Sequence, residues 1–180
     1  GGTTSFADMY YFEADVARAV DKAGLRAVLG ETFIDFPVPD HKDLPSTLTF
    51  MSDFAKKWKG HPRITPAAAP HSGYTCSKET LLAARDFAQR EGLPLLIHVA
   101  ESPKELADAR AKWGKSPVAY LASIGFFDPP ASGPQRLQRA AEMNLRVVEQ
   151  HPAAVRPVHP GKDLEQRALA RAVLAEQGVH

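Results

Sequence analysis

The chain has 180 residues, 44% of them hydrophobic and 24% charged, and its 22 basic and 21 acidic side chains leave a net charge of +1. Charges of both signs are interspersed, which argues against a nucleic-acid partner, and no apolar run approaches the ~20 residues that cross a bilayer. Cys76 is the only cysteine, so an internal disulfide and a cysteine-rich zinc site are excluded, and any metal must be held by His, Asp or Glu. The opening Gly1-Gly2-Thr3-Thr4 lacks the basic and apolar regions of a secretion signal, so a cytoplasmic location is expected. It also lacks an initiator Met and enters a strand-like segment at once, so further sequence is expected upstream of Gly1.

In chain order, Thr3 to Met9 reads as a strand and Tyr11 to Ala23 as a helix, with Phe12, Val16, Ala19 and Val20 at helical spacing. Leu25 to Leu29 is the next apolar run. A loop rich in Pro and Asp follows from Asp35 to Leu44, and then a helix over Ser46 to Lys59, whose Leu48, Met51, Phe54, Ala55 and Trp58 share one face. Arg63 to Ala69 is a third strand and Glu79 to Arg90 a third helix, with Ser77 as its boundary. Leu93 to Val99 is a continuous apolar run of the kind seen where a parallel strand is covered on both faces, with His98 near its end. Glu101 to Trp113 and Pro117 to Ile124 read as helices.

Strands alternating with helices, without adjacent hairpins, argue for an α/β fold with a parallel sheet and right-handed crossovers. An open sheet or a barrel satisfies this. A closed (β/α)8 barrel needs about 250 residues, so the expected architecture is a partial (β/α)8 barrel. Three regions are expected: barrel units over 1–129, a divergent segment over 130–165, and a helix over 166–180 that precedes a missing strand.

Barrel enzymes place working residues at the carboxyl ends of their strands. His98 lies at such an end and Glu101 follows three residues later. An imidazole is a good donor to zinc, and a carboxylate that does not bind the metal can move protons for metal-bound water. His-x-x-Glu is short, and spacing alone favours a core histidine beside an acid that suits a helix N-terminus. Location at the end of a buried strand weighs equally for the chemical role. His71, in the loop after the third strand, projects over the same face in a barrel, where it could donate to a substrate heteroatom. Otherwise it is a loop histidine organised by Pro70 and Gly73.

Four stretches, GTTSFADMYYF at Gly2 to Phe12, LGETFIDF at Leu29 to Phe36, APHSGYTCS at Ala69 to Ser77 and IHVAE at Ile97 to Glu101, resemble the amidohydrolase superfamily. The nearest branch is that of chlorohydrolases and of S-adenosylhomocysteine or methylthioadenosine deaminases. The resemblance spans about Gly2 to Pro129 and implies a (β/α)8 barrel with one divalent metal, zinc or iron. It implies that His98 binds the metal, that Glu101 shuttles protons, and that His71 contacts the substrate. Arg63 lies where some adenosine-derivative deaminases have a substrate-contacting arginine, although a solvent-facing charge is the plainer reading. Glu31 stands where such deaminases carry an arginine, which leaves the choice of substrate open.

The implied reaction is hydrolytic displacement of an amino group or chlorine from a ring carbon of a small heterocyclic substrate. The family's His-x-His pair would lie upstream of Gly1 and its last aspartate beyond His180. Over Pro130 to Glu165 the expected histidine-bearing strands are missing, a pattern that a local reading-frame slip in the coding DNA would produce. His151 and His159 read as loop histidines and Asp163 as a turn or helix-start residue. Two classes of function therefore compete: a metal-dependent hydrolase of which this is a piece, and a non-catalytic barrel remnant that keeps a ligand pocket near His71. Unpaired strand edges lead to the expectation that the piece associates with itself, and the parent protein is a candidate homo-oligomer.

Overall fold

In the computed structural model, residues 2–129 are described. The expected divergent segment at 130–165, with His151, His159 and Asp163, and the helix expected at 166–180 lie outside the described residues.

Three strands, β1 (Ser5–Tyr10), β2 (Arg26–Phe33) and β3 (Ile64–Pro70), form a parallel sheet in the order β1-β2-β3. Helices α1 (Glu13–Ala23) and α2 (Leu44–Trp58) make the crossovers, and α3 (Lys78–Glu91) follows β3. The register sets Tyr10 beside Glu31 and Phe33 beside Pro70, so the carboxyl ends of all three strands lie together.

Side chains of β2 alternate between two environments, as the pleat requires. Leu29 and Phe33 face the helices and pack with Ala17 and Val20 of α1, Met51, Phe54 and Trp58 of α2, and Ala84 and Phe87 of α3. Each fully buried Leu or Phe here contributes about 1.5–3 kcal/mol. The opposite face is packed with small residues. A Cβ added at Gly30 would lie 2.7 Å from that of Ala69 and 3.3 Å from Cδ1 of Leu96, so backbone and side chains meet there at close range.

The fourth strand is shorter than the apolar run implies. Leu93 to Val99 runs parallel to β3 but makes only two isolated bridges, Ala68 with Leu95 and Ser72 with His98. The Leu96 N–H donates to Ala68 O at 2.9 Å and the Ala68 N–H to Pro94 O at 2.9 Å. Pro94 has no N–H to extend the ladder toward its amino end. This stretch still sits beside β3, parallel to it, although it is not a full member of the three-stranded sheet.

After it come α4 (Pro103–Trp113) and α5 (Pro117–Ser123), joined by a stack of Trp113 on Tyr120 with ring centroids 3.9 Å apart. A second core of Cys76, Leu81, Leu121 and Phe126 packs against Leu95 and Ile97. No helix among the described residues is long and apolar enough to cross a membrane.

Candidate active site

The loop leaving β3 is pinned before it turns. The His71 N–H donates to Phe33 O at 3.0 Å, and the His98 N–H donates to His71 O at 3.0 Å, so the ends of β2, β3 and the fourth extended stretch are tied in one row. The His71 ring is fixed through Nδ1, which lies 2.8 Å from Thr75 Oγ1 and 3.2 Å from Ser72 Oγ. Nε2 has no hydrogen-bond partner among the described residues and is the nitrogen left for another molecule.

His98 stands beside it, with ring centroids 5.4 Å apart and planes at 83°. Burial holds the His71 pKa below the ordinary histidine value, and the neighbouring His98 lowers it further, while Glu101 pulls the other way. His71 is therefore neutral at pH 7. In the tautomer whose Nδ1 accepts from Thr75, Nε2 carries the proton and can donate.

Glu101 is placed by the start of α4. Ser102 caps that helix, its Oγ accepting from the Glu105 N–H at 3.1 Å. The Glu105 carboxylate reaches back and accepts from the N–H groups of Glu101 at 2.6 Å and Ala100 at 3.1 Å. This is a capping-box spacing, Ser102 at the cap and Glu105 three residues on, in which the acid accepts from the two N–H groups just before the cap instead of from the cap's own. Ala100 takes a left-handed conformation, φ 56°, which turns the chain between His98 and Glu101. The Glu101 side chain is exposed and accepts a hydrogen bond from Tyr74 Oη at 3.0 Å. Tyr74 also meets the His71 ring edge-on, centroids 5.8 Å apart.

Thus His71, His98 and Glu101 open to one end of the sheet, with Tyr74 bridging two of them. Arg63 is not with them. It precedes β3 at the sheet's amino end, where its guanidinium pairs with Asp21 at the end of α1, and His61 Nε2 lies 3.5 Å from the same carboxylate. The sequence reading of Arg63 as a substrate contact therefore finds it at the opposite end of the strand from His71.

Tyr74 and Glu105 were missed in the sequence. Ser102-x-x-Glu105 is a readable capping signal, and Tyr74 stands three residues beyond His71. As for a metal at His98, its imidazole is exposed and without a hydrogen-bond partner among the described residues, which suits a donor. One donor against the three protein ligands of a catalytic zinc site does not make a metal centre. Among the described residues the one group of three close donors lies elsewhere, at Glu31, Asp40 and His41.

A parallel α/β frame with histidines and an acid at the strand ends is the layout of a hydrolase of the amidohydrolase type, and residues 1–132 match the Amidohydrolase family. The chain belongs to that family. It is 42% identical over 128 residues to the 5-methylthioadenosine/S-adenosylhomocysteine deaminase of Syntrophobacter fumaroxidans, covering 71% of this chain and 29% of that protein. It is also 42% identical over 127 residues to the enzyme of that name from Aquifex aeolicus, covering 71% and 30%. The chain thus spans about three tenths of the length of these relatives.

Among solved structures it is similar to an adenosine deaminase from Xanthomonas campestris with bound zinc, with a TM-score of 0.68, 30% identity, and coverage of 71% of this chain and 29% of that one. An atrazine chlorohydrolase from Arthrobacter aurescens TC1 complexed with zinc superposes with a TM-score of 0.58 at 15% identity, covering 68% and 31%. At that identity the likeness is one of fold.

Proposed function

We propose that this chain is the central part of a (β/α)8 barrel hydrolase that displaces an amino group from a ring carbon of a purine-like substrate. The dechlorination of triazine-like rings is the less favoured chemistry, because the relatives at 42% identity are deaminases. The observation that carries the reading is the convergence of His71, His98 and Glu101 at one end of the sheet, with Tyr74 hydrogen-bonded to Glu101.

In this enzyme His98 would be one donor to a divalent ion, zinc or iron, whose other donors would have to come from outside the described residues. Such an ion, when bound, supplies water acidic enough to react near neutral pH. The rest is done by this chain. Glu101 is open to the mouth and carries a proton to the leaving amine, and Tyr74 fixes its second oxygen so that the carboxylate keeps one orientation. Neutral His71 directs Nε2 at a ring nitrogen of the substrate.

Ammonia release from 5′-methylthioadenosine, measured on a longer protein that contains this chain, tests the reading. Glu101→Gln is expected to lower kcat by about 10²–10⁴-fold with KM little changed, and the 180-residue chain alone to turn over little. Full activity in the Glu101→Gln protein would end the proposal. The lone donor at His98 favours a second reading, a ligand-binding remnant without catalysis. That reading stands if the longer protein binds the nucleoside and releases no ammonia.

A further inference from the structure

A second group of polar side chains lies on the helix-covered face of β2, away from His71 and His98. Glu31 follows Leu29 in the alternation, on the face that also carries Phe33, and is 0% exposed. The loop before α2 closes a turn through the Val38 N–H donating to His41 O at 2.9 Å, and this tucks His41 inward to 7% exposure beside Phe50. Asp40 comes with it. Two of these carboxylates serve the start of α1, which has no side-chain cap of its own. Glu31 Oε2 accepts from the Glu13 N–H at 3.1 Å and Asp40 Oδ2 from the Phe12 N–H at 2.6 Å.

The other atoms have nothing. Glu31 Oε1, Asp40 Oδ1 and His41 Nε2 are buried without a hydrogen-bond partner, and no Lys or Arg among the described residues lies within ion-pair distance of Glu31 or Asp40. We propose that Glu31, Asp40 and His41 bind a divalent transition-metal ion that joins β2, the β2–α2 loop and, through the carboxylates, the start of α1.

Distances decide between the possible fillers. His41 Nε2 lies 3.4 Å from Glu31 Oε1 and 3.8 Å from Asp40 Oδ2, and one donor atom from each residue falls within 4.8 Å of the others. A direct N–H···O bond is about 2.7–3.2 Å, shorter than either separation. A water about 2.8 Å from two atoms bridges them tetrahedrally at roughly 4.5 Å, which is too wide. Donors about 2.1 Å from a tetrahedral ion stand roughly 3.4 Å apart, which matches the 3.4 Å between His41 Nε2 and Glu31 Oε1, while the 3.8 Å to Asp40 Oδ2 is somewhat wider. Protonation of Glu31 would supply an O–H facing His41 Nε2, but at 3.4 Å the pair is longer than a hydrogen bond, so protonation alone does not close the contact. One imidazole with two carboxylates suits zinc and its neighbours in the first transition row better than calcium or magnesium.

The test titrates the 180-residue chain with Zn2+ by calorimetry and with Co2+ by visible absorption. The chain is expected to bind a Zn2+ ion and to show the intense Co2+ bands of a low-symmetry site. Glu31→Gln, Asp40→Asn and His41→Ala are each expected to weaken binding by more than the roughly 10–100-fold lost with an outer-sphere partner. His98→Ala should leave this binding unchanged, which keeps the outcome separate from that of the proposed active site. Far-UV circular dichroism identifies any variant that has unfolded, and the folded ones decide. No binding by the parent chain overturns the proposal, as does binding that survives His41→Ala and Asp40→Asn or that disappears with His98→Ala.

Discussion

Gly30 shows at the scale of one residue how the sheet is fitted together. Its backbone is ordinary strand, so the requirement is for space: an added Cβ would meet Ala69 Cβ at 2.7 Å, closer than real contacts allow, and both partners are in strands that cannot move apart without breaking the β2–β3 ladder. Gly30→Ala is expected to destabilise the chain by about 1–3 kcal/mol. A fall in the urea midpoint at unchanged m-value would show it, and an unchanged midpoint would mean that the sheet face is looser than these contacts. Single residues were read unevenly from the sequence. His71, His98 and Glu101 could be singled out by type and by position after strand-like runs, but the roles expected of them came from the family resemblance and not from their spacing. Arg63 did not fit, because a position at the start of a strand places a side chain at the amino end, and there it found Asp21.

At the scale of the element, boundaries were the weak point, because caps are set by backbone geometry that hydrophobic periodicity does not report. The spacing suggested a helix from Glu101. The structure begins α4 at Pro103 with Ser102 as its cap, which frees Glu101 to stand in the mouth. Ser102→Ala removes the acceptor for the Glu105 N–H and is expected to cost about 1 kcal/mol, seen as a lower thermal midpoint. The fourth strand teaches the same lesson from the other side. Its apolar run was legible, but Pro94 and the sparse bridges were not, because hydropathy says where a segment is buried and not how many ladder bonds it makes. The cluster at Glu31, Asp40 and His41 was illegible for a further reason. Glu31 and His41 are joined by a loop turn, and no periodicity links a strand residue to a loop residue ten positions on.

For the whole molecule, the alternation of strand and helix was enough to place the chain in a parallel α/β class, and tertiary burial adds a property that no alternation reveals. Glu13 and Glu31 are both 0% exposed, and burial is the main reason that their carboxyls are pushed up to about 8 and about 9. Nearby Asp8 raises Glu13 further, and Asp40 raises both. An unfolded glutamate releases its proton near pH 4.3, so between that pH and the folded values the native chain holds more protons than the unfolded one. Stability therefore falls as pH rises through this window. His71 acts in the opposite sense, since its folded pKa is depressed, but its contribution is complete by about pH 7. In chelator, then, the thermal midpoint is expected to drop from pH 7 to pH 8, reflecting a loss of at most about 1.4 kcal/mol of stability per buried carboxyl. Glu31→Gln, which cannot ionise, should flatten that slope. A midpoint that rises over this interval, or a slope that the variant leaves untouched, would show that the two glutamates are already ionised at neutral pH. Saturating Zn2+ should reverse the trend if the ion competes with protons for Glu31, because metal binding releases them and strengthens as pH rises.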